Sequence, residues 1–204
     1  MYVPTHFKAE SPELIAKVVH ENSFALLVTA TDDGLKMSHV PCLFDPDRGE
    51  NGTLKAHVAR ANDHWKWFDG RRETAAVFLG PHAYVSPTWY KEHLSVPTWN
   101  YAAVHLLGAP QVLGDEASLA LLMEMVRIFE GPGSVYDFEA GEAYARKSLP
   151  GIVAFEMPVL RVNAKFKMSQ NKPEGDRLRV IEHLAEGADP LAQATARFMR
   201  ELGG

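Results

Sequence analysis

Cysteine is almost missing from this chain: Cys42 stands alone among 204 residues. One thiol cannot close an internal disulfide, and a cysteine-rich zinc site is excluded with it. Long apolar runs are missing too. FALLV (24–28) is representative and falls far short of the roughly 20 residues that a membrane-spanning helix needs. The opening MYVPTHFKAESPE has neither the basic start nor the apolar stretch of a signal peptide, so a cytoplasmic protein with no membrane contact is expected. In that setting Asn51-Gly52-Thr53 reads as a turn, not as a glycan acceptor. Positive charge is scarce: 21 Lys and Arg against 26 Asp and Glu leave a net charge of −5. That balance is the opposite of a general nucleic-acid or anionic-membrane binder, although it is compatible with a local basic patch. The chain also lacks a glycine-rich phosphate loop ending in Lys-Ser/Thr, a G-x-G-x-x-G and a G-x-S-x-G elbow.

What remains is an ordinary globular composition, 46% hydrophobic and 23% charged. A chain of this size buries roughly 70% of its unfolded surface, enough for a real core. No repeat, low-complexity tract or linker divides it, so one domain over residues 1–204 is expected. SPELIAKVVHEN (11–22) predicts a helix. Ser11 suits the N-cap, Pro12 the first helical position, and Leu14, Ile15, Val18 and Val19 share a face. SFALLVTAT (23–31) and LKMSHVPCLF (35–44) flank Asp32-Asp33-Gly34 and read as a hairpin, because Gly supplies the positive φ of a tight turn. Further strands are expected at 53–59, 73–80, 82–86 and 151–169, and a long one at 99–114, bulged at Gly108 or Pro110.

Helical patterns fall at 61–70 (short), 117–131 with Asp115 as cap, 139–149, 176–187 and 190–202. The fold class is therefore α+β, with a helical insertion about 115–149 and C-terminal helices about 176–202. Six or more short strands favour a closed or partly open barrel, since closure removes exposed edges.

Nine histidines form no H-E-x-x-H and no H-x-E with paired cysteines, so they read first as polar tips and hydrogen-bonded core residues. Cys42, in V-P-C-L-F, reads as an inert buried thiol. More unusual are polar residues inside β-rich segments: Ser38-His39, then His57 and Arg60 just before Asn62 and Asp63, then Lys165, Lys167, Ser169, Gln170 and Asn171. Aromatic and amide residues crowd 84–101, among them Trp99 and Asn100. Such a mixture suits a ligand that is planar at one end and anionic at the other. Arg60 beside a helix start would hold the anion together with backbone N–H groups and the helix dipole. Pro41 would leave a gap in the strand ladder for the ring. The plainer reading is that the charges are solvated strand ends and the aromatics core or interface filler.

The blocks MYVPTHF, SHVP (38–41), AHVARAN (56–62), FLGPHAYVSPTWY (78–90), VPTWNYAAVH (96–105) and KFKMSQNK (165–172) run in order along nearly the whole chain. Together they resemble the PaiB family of FMN-binding negative transcriptional regulators, of the split-barrel flavoprotein class similar to pyridoxamine-phosphate oxidase. The resemblance implies a six-stranded Greek-key split β-barrel, a homodimer, and FMN at the dimer interface. It implies that Ser38, His39 and Pro41 line the flavin and that His57, Arg60 and Asn62 meet the ribityl-phosphate end. Lys167, Ser169, Gln170 and Asn171 would close the pocket, with Trp99 and Asn100 as wall or interface residues. DNA or a regulatory protein is the partner that a regulator implies, yet no helix-turn-helix stands out and the net charge is negative. Two other readings stay open: an FMN-dependent oxidoreductase acting on a small molecule or NAD(P)H, and a haem-binding barrel with His39, His57 or His105 as axial ligand.

Overall fold

In the computed structural model, which describes residues 1–91 and 95–203, the Ser11 hydroxyl accepts the Leu14 N–H and opens helix α1 (Pro12–Glu21). Asn22 ends it, donating from Nδ2 to the Val18 carbonyl at 2.8 Å. Strands β1 (Phe24–Thr31) and β2 (Gly34–Asp45) then pair antiparallel from Thr31↔Gly34 to Phe24↔Pro41. The turn works because Gly34 sits at φ 109°, a conformation that costs glycine nothing. Pro41 does not break the ladder: it falls opposite Phe24, and the Cys42 N–H takes up the pairing with the Ser23 carbonyl at 2.8 Å.

Several elements depart from the sequence reading. Residues 73–86 form one strand, β4 (Thr74–Val85), after β3 (Thr53–Ala59). Its buried positions run 74, 76, 78 and 80, then 83 and 85, so the alternation slips by one at Pro81-His82 without ending the strand. The long run at 99–114 breaks: β5 (Thr98–Gly108) stops before Pro110, which has no N–H to give, and β6 (Gln111–Val112) follows. Helix α2 (Asp115–Glu130) is capped by Gly114 without a side-chain bond, so Asp115 acts from the first turn, where a carboxylate complements the helix dipole. Helix α3 (Phe138–Ser148) is capped by Asp137, which accepts the Glu139 and Ala140 N–H groups. The chain ends in β7 (Ile152–Lys167), α4 (Glu174–Glu186) and α5 (Pro190–Glu201).

The hydrogen-bonded order is β3-β2-β1-β4-β5-β7-β6, with β3 also paired to β7. Six strands thus close on themselves and the two-residue β6 rides on β7, making a Greek-key barrel in an α+β fold. No helix among the described residues is long and apolar enough to cross a membrane.

The chain divides into two compact units, with β4, β5 and β7 each contributing to both. One comprises Met1–Asn22, Phe78–His105 and the chain from Asn163 on. Its core holds Val18, Val19, Met168 and Met199, and Phe166 meets Phe198 edge-to-face at 5.1 Å. The other comprises Ser23–Val77 and Leu106–Val162. There Leu43, Leu121, Met125 and Ala154 pack together, and the rings of Phe68 and Phe155 lie 4.5 Å apart. Burying each large apolar side chain is worth roughly 1.5–3 kcal/mol.

Candidate functional site

Strand alternation on β2 turns Ser38 inward and His39 outward. His39 is exposed and stacks on Phe24, ring centroids 6.0 Å apart. Ser38 starts a buried polar chain. Its hydroxyl accepts from Asn62 Nδ2 at 2.9 Å and lies 2.9 Å from His64 Nδ1. His64 Nε2 lies 2.8 Å from Thr29 Oγ1, which is 2.6 Å from Thr74 Oγ1. His64 is only 1% exposed. Burial pushes its pKa down, Asp63 opposes that, and Lys36 adds to it. A neutral imidazole has one N–H and one acceptor, so it fits between two hydroxyls, giving to one and taking from the other. The sequence reading passed over His64. Its signal is there in hindsight: an inward position two residues after a capping Asn, among Trp65, Trp67 and Phe68.

The helix expected at 61–70 is a single five-residue 3-10 turn, Asp63–Trp67. One turn of His, Trp and Lys does not repay helix nucleation. The second amide of the turn, His64 N–H, is already taken by Asn62 Oδ1 at 3.1 Å. The helix-start anion site expected beside Arg60 is therefore replaced by Arg60 alone. Its N–H donates to the Gly151 carbonyl at 2.8 Å and its Nε to the Pro150 carbonyl at 3.4 Å. The guanidinium lies over the Trp65 ring, 5.4 Å from the centroid, with the residue exposed. On β3, His57 is paired with Ala154, and its Nδ1 is buried without a hydrogen-bond partner among the described residues. Burial holds the His57 pKa below its ordinary value, which favours the neutral ring. Cys42 is buried, and desolvation pushes its thiol up to about 12, inert as expected.

The other candidates sit in the first unit. Thr98, Asn100, Lys167, Ser169 and Asn171 share a cleft of about 170 Å³ with Tyr90 and Lys172. Asn100 and Ser169 bond reciprocally, Nδ2 donating to Oγ at 3.0 Å and Oγ to Oδ1 at 3.2 Å. Lys167 Nζ donates to Thr98 Oγ1 and, at 2.7 Å, to the Trp99 carbonyl. Trp99 itself faces outward, 54% exposed, its ring 6.1 Å from Tyr84 and 6.4 Å from His82. Gln170 turns back onto β7: its Oε1 accepts the Met168 N–H at 2.6 Å and its Nε2 donates to the Phe166 carbonyl at 2.5 Å. The structure thus joins Ser38 with Asn62, and Asn100 with Lys167, Ser169 and Asn171. The Gln170 amide is engaged with its own strand's backbone.

An orphaned buried nitrogen on His57, the exposed guanidinium of Arg60 and the Ser38–Asn62 pair are polar partners suited to a polyhydroxylated chain ending in phosphate. Comparison with known proteins agrees. Residues 1–161 match the family described as "Putative FMN-binding domain". The "Protease synthase and sporulation protein PAI 2" of Bacillus subtilis (strain 168) is 33% identical over 204 residues, covering 98% of this chain and 97% of that protein. Among solved structures, the FAD and heme binding protein from Mycobacterium smegmatis is similar with a TM-score of 0.61 at 13% identity, covering 84% of this chain and 78% of that one. The flavocytochrome Anf3 from Azotobacter vinelandii is similar with a TM-score of 0.59 at 12% identity, covering 87% and 78%. At such identities these two speak for the fold alone. The chain belongs to the PaiB family of FMN-binding split-barrel proteins, and FMN is its cofactor.

Proposed function

We propose that this chain is a flavin-dependent negative regulator of transcription, working as a cytoplasmic homodimer. The observation that carries the reading is the full-length similarity to a protein named for protease synthesis and sporulation. In this proposal the Arg60 guanidinium and Asn62 amide hold the phosphate end, and His57 Nδ1 accepts from the ribityl hydroxyls. Ser38, His39 and Pro41 border the ring. FMN, when bound, supplies the redox chemistry that these side chains lack. The protein's part is to fix the ligand: the His64 relay holds the Ser38 hydroxyl and the Asn62 amide in one arrangement, so little ordering cost remains at binding. A lone buried thiol suits a reducing compartment. A net charge of −5 disfavours broad DNA contact, so the output is proposed to pass through a regulatory protein partner.

The test compares transcripts in cells carrying the intact chain, lacking it, or carrying Arg60→Ala. A shared set of transcripts should rise in the last two. Unchanged transcripts would overturn the regulatory reading, and acceleration of bound-flavin reduction by NADPH over free FMN would favour an oxidoreductase instead. If the purified protein retards DNA with a steep dependence on salt, the partner is DNA itself.

A further inference from the structure

The Asn62 amide faces one way. Its Oδ1 accepts the His64 N–H at 3.1 Å, which turns Nδ2 toward Ser38 Oγ at 2.9 Å. One Nδ2 hydrogen is spent there, and the second is left for the anion that Arg60 and Asn62 are proposed to hold. Ser38, having accepted from Asn62, has its own proton to place, and His64 Nδ1 at 2.9 Å is the acceptor beside it. The imidazole proton then sits on Nε2 and goes to Thr29, whose own proton goes to Thr74. Donor follows donor from a half-buried amide to two threonines that are 0% exposed. The reverse order, with Nδ1–H giving to Ser38, leaves the Ser38 proton without an acceptor among the described residues.

A second proton on the ring reverses one link of this chain. Histidinium donates from both nitrogens, so Nδ1 stops accepting and gives to Ser38 instead. The Ser38 proton then finds an acceptor only where Oδ1 replaces Nδ2 in front of it, which means that the Asn62 amide turns over. That inversion breaks the bond from the His64 N–H and sets a carbonyl oxygen where an N–H had faced the anion. The charged groups acting on the ring are Asp63, which favours protonation, and Lys36, which disfavours it, and the two pair with each other at 3.1 Å. From β1 and β4 the relay meets only hydroxyls, and on its own turn the ring meets Phe68, with centroids 5.1 Å apart. Burial opposes the charge, so the neutral ring is the resting state near pH 7.

We propose that His64 is a proton-operated switch on the flavin site: its protonation inverts the Asn62 amide and weakens the hold on the FMN phosphate, so that the chain gives up FMN as its surroundings acidify. This role rests on the placement of the phosphate at Arg60 and Asn62 proposed above. His64 is a positioning residue in it, acting through Ser38 and Asn62 without touching the ligand. The added proton comes from solvent, and only hydrogen bonds are exchanged. By reciprocity, FMN makes His64 harder to protonate by the same factor that protonation weakens FMN binding.

The experiment measures FMN and riboflavin affinities by flavin fluorescence at pH 7.5 and pH 5.0. It uses the full chain and His64→Gln, which bonds a hydroxyl but does not titrate, with circular dichroism confirming the fold at both pH values. Wild-type affinity for FMN should fall by about threefold or more beyond the fall seen in His64→Gln. Protonation of the FMN phosphate itself, and of His57, is common to both proteins and cancels in that comparison. Riboflavin should show no such excess. Equal pH dependence in the two proteins overturns the switch, as does an excess that is just as large for riboflavin. A second measurement needs no variant: nitrogen NMR of histidine-labelled wild-type protein should show a neutral His64 ring carrying its proton on Nε2 at pH 7.5. Adding FMN should lower the pH at which that ring titrates. A proton on Nδ1, or a titration that FMN does not move, overturns the proposal. Failure of the phosphate placement looks different, since Arg60→Ala would then leave the ratio of FMN to riboflavin affinity unchanged while the flavin-free ring still reports its tautomer.

Discussion

Ser38 Oγ lies 2.9 Å from His64 Nδ1, joining the middle of β2 to a single 3-10 turn 26 residues later. Beyond that bond the imidazole reaches Thr29, so one buried ring ties together β1, β2 and the turn after β3. His64→Leu keeps much of the volume but takes one hydrogen bond from each of the Thr29 and Ser38 hydroxyls, which keep Thr74 and Asn62. Each hydrogen bond lost is worth about 0.5–1.5 kcal/mol. The urea midpoint should fall accordingly with an unchanged slope, and His64→Gln, able to bond on one side, should lose less. An unshifted midpoint in His64→Leu would show that the relay contributes nothing to stability.

Burial lowers the pKa values of His57, His64 and His105 from 6.5. In the unfolded chain these rings take up protons near that ordinary value, whereas in the folded chain they resist. Below pH 6.5 the unfolded state therefore binds more protons, and stability falls with acidification. Their contribution is complete above pH 6.5 and is lost as pH drops toward the depressed folded values. Melting temperatures at pH 7.5 should exceed those at pH 5.5, and the difference should shrink in His64→Leu. A wild-type curve flat across this interval would contradict the assignment.

The hairpin, α1 and both C-terminal helices were legible because their signals are local. Asp32-Asp33-Gly34 supplies its own turn, and Ser11-Pro12 its own cap. The strand break at Gly80-Pro81 was misjudged, since neighbouring strands carry the ladder past a proline and absorb it as a slip in alternation. Site residues were half legible. Ser38 and Asn62 are unusual as types in their segments, and they do meet. His64 looks ordinary in sequence, because its importance comes from Thr29 and Thr74, which only strand pairing brings near. Gln170 shows the reverse case: a polar residue at a strand end whose partners are its own backbone.

Arg60 stands exposed over Trp65 and lacks a helix terminus to assist it. A charge-assisted contact to phosphate at such a site is worth about 1.5 kcal/mol, roughly tenfold in affinity. Arg60→Ala should weaken FMN binding by that factor, read by quenching of flavin fluorescence, and leave riboflavin binding unchanged. Equal losses for both ligands would place Arg60 away from the phosphate.

Leu79, Tyr84 and Trp99 are exposed apolar residues on β4 and β5, and Tyr84 and Trp99 touch. Aromatic residues of this kind anchor subunit contacts. If the proposed homodimer is built on this patch, Trp99→Glu should shift the mass measured by light scattering from dimer to monomer at micromolar concentration. A variant that remains dimeric would move the seam elsewhere.

Gln170 bridges the Met168 N–H and the Phe166 carbonyl and so clamps the end of β7 just where Ser169 adopts positive φ. With both ends of its amide engaged, it has little left to offer a flavin ring. Gln170→Ala should therefore lower unfolding stability by about 1 kcal/mol, the net worth of an ordinary hydrogen bond. The midpoint potential of bound FMN, followed by spectroelectrochemical titration, should stay at the wild-type value. A shifted potential with unaltered stability would reverse the assignment, because only a side chain touching the isoalloxazine stabilises one redox state over the other without supporting the strand.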